Sequence, residues 1–185
     1  MVPLNVPNVL TVVRMLLVPV LVVALLEKTG GGDLLAAIVF AVASITDAID
    51  GYLARSRNAV TTFGKLMDPI ADKLLIVAAL IALVSLNRLE AWVAMVVIAR
   101  EFAVTVLRVA VGSQGQVISA SSLGKLKTAA QVAMVMSLIA VHGRPLWVSL
   151  LVYTTVVITV LSGADYFFGL RRRVDQPARR SGAPS

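Results

Sequence analysis

The sequence predicts an all-α integral membrane protein built as a bundle of six transmembrane helices, and three observations predict it. Of 185 residues, 58% are hydrophobic and only 15% charged, with a mean hydropathy of +0.90, too apolar for the wetted surface of a soluble domain of this length. Crossing roughly 30 Å of hydrocarbon takes about 20 mainly apolar residues, and six stretches supply them, at 7–27, 34–55, 62–86, 91–111, 123–142 and 147–170. Basic residues fall mostly on one side: Arg55, Arg57, Lys65, Lys125, Lys127, Arg171, Arg172, Arg173, Arg179 and Arg180, against Lys28, Arg88 and Arg144 on the other. That asymmetry places both termini and the loop 56–61 in the cytoplasm, as expected for a multi-pass protein of the cell (inner) membrane.

The first stretch carries Asn8, Thr11 and Arg14 toward its cytoplasmic end. Arg14 reads either as a contact to a phosphate or pyrophosphate or as a snorkelling side chain. The stretch is long enough to span, and Glu27-Lys28-Thr29 offers no small-residue cleavage site, so it does not read as a signal peptide. Gly30-Gly31-Gly32 reads as a flexible extracytoplasmic turn, with no Lys-Ser/Thr after it to make a phosphate loop. The second and third stretches carry the acidic residues described below. The fourth contains adjacent Arg100 and Glu101, open between an ion pair with other helices and a substrate role, and ends near Arg108. Lys125 and Lys127 open the fifth, and Asp165, near the end of the sixth, is placed to pair with the arginines that follow. Trp92 and Trp147 read as interfacial anchors, and His142 as a loop residue.

Residues 1–170 therefore form one transmembrane domain, leaving no room for a soluble catalytic domain. Residues 171–185, rich in Arg, Pro, Gly and Ser, form a basic cytoplasmic tail expected to be disordered or to lie along the headgroups. A net charge of +7 suits an anionic membrane surface or anionic substrates. Nucleic acid is a poor partner, because the tail is short and has no aromatic residue. With no cysteine, disulfides and thiolate metal sites are excluded.

Four of the ten carboxylates, Asp47, Asp50, Asp68 and Asp72, fall within 26 residues of membrane-spanning sequence. An ionisable side chain at mid-bilayer costs about 2.5–3.5 kcal/mol on insertion scales, so a buried quartet points to function. Spacings of three and four put each pair on one helix face. Folded as a hairpin about position 59, Asp50 comes opposite Asp68 and Asp47 opposite Asp72, near the cytoplasmic end of a polar cavity open to the cytoplasm. Like charges so close need a counter-charge. Hard divalent cations such as Mg²⁺ take carboxylate and phosphate oxygens, and a pair of metal ions suits displacement at phosphorus. Zinc is disfavoured, since the single His142 lies at the far face. Gly51, Ala54 and Gly64 let helices or a flat base approach closely, while Arg55 and Thr61 supply donors at the mouth. Pro69 frees the carbonyl of Lys65.

The run Asp47-Ala48-Ile49-Asp50-Gly51-Tyr52-Leu53-Ala54-Arg55, then eight residues, Gly64, three residues, Asp68, three residues and Asp72 resembles the signature of CDP-alcohol phosphatidyltransferases at all eight fixed positions. The resemblance covers the whole chain and implies a six-helix core with the signature across helices two and three. It implies that Asp47, Asp50, Asp68 and Asp72 hold Mg²⁺ or Mn²⁺, two ions in all, with Asp72 also deprotonating the acceptor. It further implies that Gly51, Ala54, Arg55 and Thr61 hold the CDP group of CDP-diacylglycerol, and that the enzyme is a homodimer.

The opening Asn5–Arg14, the extension Ala71-Asp72-Lys73, the segment Ile98–Arg108 and Leu123–Thr128 are similar to the phosphatidylglycerophosphate synthase branch of that family. On that likeness Asn8, Thr11 and Arg14 are expected at CDP-diacylglycerol, and Arg108, Lys125 and Lys127 at the phosphate of glycerol 3-phosphate. Such a dianion needs fixed cations on the cytoplasmic side. Arg108, Lys125 and Lys127 also read as positive-inside anchors, and Lys73 as a simple offset to Asp72. Inositol phosphate, phosphatidylglycerol and serine are the rival acceptors. A cation transporter is the rival from another class, disfavoured because the acids lie at one end and the far half of both stretches is apolar.

Overall fold

The structure, a computed structural model, describes residues 6–27, 31–57, 62–112 and 122–174, with side chains placed over 9–27, 31–46, 73–112 and 123–168. Six α-helices follow in order: α1 (Val6–Leu26), α2 (Gly32–Arg57), α3 (Thr62–Ser85), α4 (Ala91–Gly112), α5 (Ser122–Ala140) and α6 (Leu146–Val174). Each corresponds to one of the six apolar stretches. Among the described residues, Val9–Leu26, Leu123–Ala140 and Leu146–Phe168 are long and apolar enough to cross a membrane, and Gly32–Thr46 and Lys73–Ser85 are shorter apolar segments of α2 and α3. Large apolar side chains such as Leu16, Leu34, Ile81, Met95, Val109, Leu150 and Phe167 face outward. A lipid-facing surface tolerates them because its solvent is as apolar as they are.

Specific residues end the helices. Asn87 adopts φ 56°, Arg88 N–H donates to Leu83 O (2.9 Å) and Asn87 N–H to Val84 O (3.0 Å). This is a Schellman stop, with asparagine at the left-handed position that glycine usually takes. Gly32 begins α2 where a Cβ would lie 2.7 Å from the carbonyl oxygens of Ala24 and Glu27, so only glycine lets α2 leave α1 so tightly. The expectation of a flexible glycine turn is thus corrected at Gly32, which is buried and helical. Gly143, at φ 82°, turns the chain between α5 and α6. Pro19 lies inside α1, where it leaves the Met15 carbonyl without its helical donor.

The expected tail is also corrected at its start. Helix α6 runs through Val174, so residues 171–174 continue it. Arginine is a good helix former and its charge suits a helix C-terminus. Residues 175–185 lie outside the described residues.

Helix α1 packs along both α2 and α3, and among the described residues those two touch each other over a smaller area; α5 packs on α2 and α6, and α4 on α6 and α3. The apolar core, including Leu21, Phe40, Leu80, Leu83, Val97, Met134, Ile139 and Val152, draws on all six helices. Two ion-paired links close the bundle above that core. Arg88 donates to both oxygens of Asp33 (2.8 and 2.7 Å) and to Ile139 O (3.3 Å), while His142 Nε2 lies 2.7 Å from Asp33. Arg144 makes a two-pronged pair with Glu90. These contacts bring the α3–α4 and α5–α6 connections and the start of α2 to one end, as the alternating topology requires.

The hydrogen-bonded Arg88 guanidinium holds the Asp33 carboxyl below the usual carboxylate range, against the opposing effect of partial burial. Arg144 does the same for Glu90 and is itself raised by that carboxylate. His142, a loop residue as expected, is 73% exposed at its side chain. Trp92 stacks on Tyr153 with centroids 6.2 Å apart, at the same end.

Candidate active site

Backbone alone places the acidic quartet. Asp47 and Asp50 lie three residues apart in the second half of α2, and Asp68 and Asp72 four apart in the first half of α3. Residues at those spacings share a helix face. The four residues between the helices make the hairpin short, and α3 stays helical through Pro69. The side chains of Asp47, Asp50, Gly51, Ala54, Arg55, Gly64, Asp68 and Asp72, with Asn8 and Thr61, lie outside the described residues. Among the described residues no three carboxylate or imidazole groups are clustered for a metal.

The chemistry of the donor set can still be weighed. Four carboxylates on two consecutive helices are hard oxygen donors, and cysteine is absent. The one histidine is engaged with Asp33 at the opposite end. Such a set fits Mg²⁺ or Mn²⁺ and not a zinc site.

Described polar side chains gather on the remaining helices. Thr11 and Arg14 of α1 are each 2% exposed. Burial of Arg14 removes the snorkelling alternative, since a snorkelling head reaches water. Glu101, in the middle of α4, accepts three donors on one oxygen, Oε1: the Lys127 ammonium, Gln131 Nε2 at 3.3 Å and Arg100 at 3.4 Å. Lys127 and Gln131 are one turn apart on α5, so one face of that helix presents both to α4.

Arg100 reaches away from Glu101 to Ser162 Oγ on α6 (3.0 Å), and Ser162 donates to Thr159 O (3.0 Å). Gly163 makes room for the Arg100 stem, because a Cβ there would sit 3.2 Å from Arg100 Cγ. Arg100 Nε is buried without a hydrogen-bond partner among the described residues. One turn beyond Ser162, the Tyr166 ring lies 5.7 Å under the Arg108 guanidinium, a cation–π contact.

The three expected acceptor-site cations are therefore not alike. Lys125 and Arg108 are exposed, whereas Lys127 is 6% exposed and paired. Burial corrects the reading of Lys127 as a headgroup anchor. For the open question of Arg100 and Glu101, the structure shows them ion-paired with each other and with Lys127 of α5, while Arg100 reaches α6 by its hydrogen bond to Ser162. Gln131, Ser162, Gly163 and Tyr166 were missed by sequence reasoning. A faint signal existed for two of them: Gln131 is four residues after Lys127, and Ser162-Gly163 is a small polar pair inside an apolar stretch.

The family model for CDP-alcohol phosphatidyltransferase matches residues 4–161. A Bacillus subtilis (strain 168) protein named "CDP-diacylglycerol--glycerol-3-phosphate 3-phosphatidyltransferase" is 41% identical over 181 residues, covering 88% of this chain and 93% of that protein. A Mycobacterium tuberculosis (strain ATCC 25618 / H37Rv) protein named "Probable phosphatidylglycerophosphate synthase" is 44% identical over 169 residues, covering 88% of this chain and 79% of its own length. A Rickettsia felis protein with the same name as the Bacillus one is 34% identical over 169 residues, covering 88% of this chain and 93% of that protein.

Proposed function

Because the chain belongs to the CDP-alcohol phosphatidyltransferase family, we propose that it transfers the phosphatidyl group of CDP-diacylglycerol to glycerol 3-phosphate, giving phosphatidylglycerophosphate and CMP. The observation that carries this is the complete eight-position acidic signature, set on consecutive helices α2 and α3, in a chain whose relatives bear that activity in their names.

In this reading Asp72 takes the proton of the acceptor hydroxyl. The freed oxygen attacks the lipid-bonded β-phosphorus, and the bond from that phosphorus to the bridging oxygen breaks, so that CMP departs with the bridging oxygen. Asp47, Asp50, Asp68 and Asp72 would hold Mg²⁺ or Mn²⁺, which when bound stabilises charge developing on the pyrophosphate oxygens. Gly51, Ala54, Arg55 and Thr61, with Asn8, Thr11 and Arg14, would bind CDP-diacylglycerol. Arg108, Lys125 and Lys127 would hold the acceptor phosphate, a role that fits cations best because the phosphate is dianionic.

All six helices, each 19–29 residues and so about 28–44 Å long, would span the membrane. Both termini and the acidic cavity would face the cytoplasm, and two copies would form a dimer. The ion-paired end, carrying few basic residues, would then face outward.

The deciding experiment supplies purified protein with labelled CDP-diacylglycerol, divalent metal and one acceptor at a time. CMP release only with glycerol 3-phosphate is the expected outcome. Release with inositol phosphate, phosphatidylglycerol or serine instead would reassign the acceptor, and ion flux in liposomes without CMP release would overturn the enzyme.

A further inference from the structure

The Glu101 cluster lies between three helices, and the chemistry outlined above gives Glu101 no task. Among the described residues its composition is unbalanced: Arg100 and Lys127 share one carboxylate oxygen, so these three groups carry a formal charge of +1. A cluster built only to join α4, α5 and α6 would gain most from matched charges, because an excess ion away from water costs free energy. Within the described cluster the second cation is the Arg100 guanidinium, whose Nε is buried without a hydrogen-bond partner among the described residues, and a ligand that brings negative charge suits it.

A lysine has a flexible four-carbon stem and a freely rotating ammonium. At 6% exposure, Lys127 is held where it is by what it bonds. Glu101 supplies that bond from another helix, and Gln131 and Arg100 fix the same carboxylate oxygen from two further directions. Arg100 is itself held by Ser162 and seated over Gly163.

We propose that Glu101 is a positioning residue for acceptor binding: it holds the Lys127 ammonium between α4 and α5 and leaves Arg100 as a second cation whose charge the acceptor's phosphate offsets. This rests on the reading of Lys127 as an acceptor-phosphate contact. Glu101 makes no contact with substrate and acts through Lys127.

The test measures KM for glycerol 3-phosphate, KM for CDP-diacylglycerol, kcat and thermal midpoint for Glu101→Gln, Lys127→Met and the double variant, in the full-length detergent-purified enzyme with saturating Mg²⁺. Lys127→Met is expected to raise KM for glycerol 3-phosphate about tenfold or more, the scale of one lost charge-assisted hydrogen bond, with KM for CDP-diacylglycerol unmoved. Glu101→Gln is expected to shift the same constant in the same direction. The double variant is expected to be no worse than Lys127→Met alone, because a residue that works through another adds nothing once the other is gone.

Should Glu101→Gln fail to fold, Glu101→Asp, which keeps the charge but withdraws it by one methylene, decides by the same ratio of KM values. A Glu101 variant that only lowers the thermal midpoint, or raises both KM values equally, overturns the positioning role. An unchanged KM in Lys127→Met overturns the acceptor-phosphate reading beneath it, and the proposal with it.

Discussion

At the end of the bundle where α3 meets α4 and α5 meets α6, charged groups sit outside the apolar core. Asp33, Arg88 and His142 form one link and Glu90 and Arg144 another, while Phe40, Leu80, Leu83 and Ile139 below them are fully buried. Toward the other end the order is reversed. Arg14, Lys127 and Gln131 are buried among the helices, Glu101 and Arg100 nearly so, and the acidic quartet lies in the second half of α2 and the first half of α3. A pair at the rim keeps part of its hydration and needs little from its surroundings. Charges between helices must be compensated by one another or by a ligand. Position along the bundle thus separates charge that fastens the rim from charge buried between the helices.

The sharpest way to break this contrast is at Asp72. Asp72→Asn is expected to cut kcat by about 10²–10⁴-fold, the usual span for a general base, while binding of CDP-diacylglycerol and the thermal midpoint hold. Turnover and equilibrium binding measured on one preparation check it. Strong residual turnover would take the role of base from Asp72, and loss of folding would place it among the fastening charges.

Next in size is Leu83→Ala, in the apolar half. Removing a fully buried leucine leaves a cavity, and in water-soluble cores this costs about 2–5 kcal/mol. In lipid the packing part of that cost survives even though the hydrophobic part is weakened. A lower thermal midpoint with both KM values unchanged is the expected result. A shift in either KM would mean that the two halves are mechanically coupled and the contrast is too simple.

Much of this division was legible in the chain. Run lengths of apolar residues locate all six helices, because each run is about as long as a bilayer crossing requires. The quartet is legible because carboxylates are scarce in such a sequence and their spacings match a helix. The Schellman stop was less so: asparagine takes the left-handed conformation less readily than glycine, so Asn87 alone does not announce a turn. The end of α6 was misplaced because Arg171, Arg172 and Arg173 read as topology signals when they are also good helix formers.

Pairings between helices were the least legible. Glu101 meets Lys127 across 26 residues that include a long connection, and Asp33 meets Arg88 across 55. No spacing rule sets the rotation of α4 against α5, so the three cations expected at the acceptor all looked alike in sequence. Only packing separates buried Lys127 from exposed Lys125 and Arg108.

The smallest expected effect tests the fastening charges by pH. Asp33 is bonded to Arg88 and His142, so His142→Gln serves as background and leaves the Arg88 pair to be read alone. In the folded protein the Asp33 carboxyl is held below its usual value, mainly by the Arg88 hydrogen bond. A depressed carboxylate contributes its stability above the unfolded value, near 4, and loses it as the pH falls through the lower folded one. Replacing Asp33 with Asn in that background should therefore lower the thermal midpoint at pH 7 by the equivalent of about 1 kcal/mol or less, the scale of a partly exposed pair. The gap between the two proteins should shrink below about pH 4. A gap constant with pH would show that Asp33 fastens the rim through its shape and hydrogen bonds, and not through its charge.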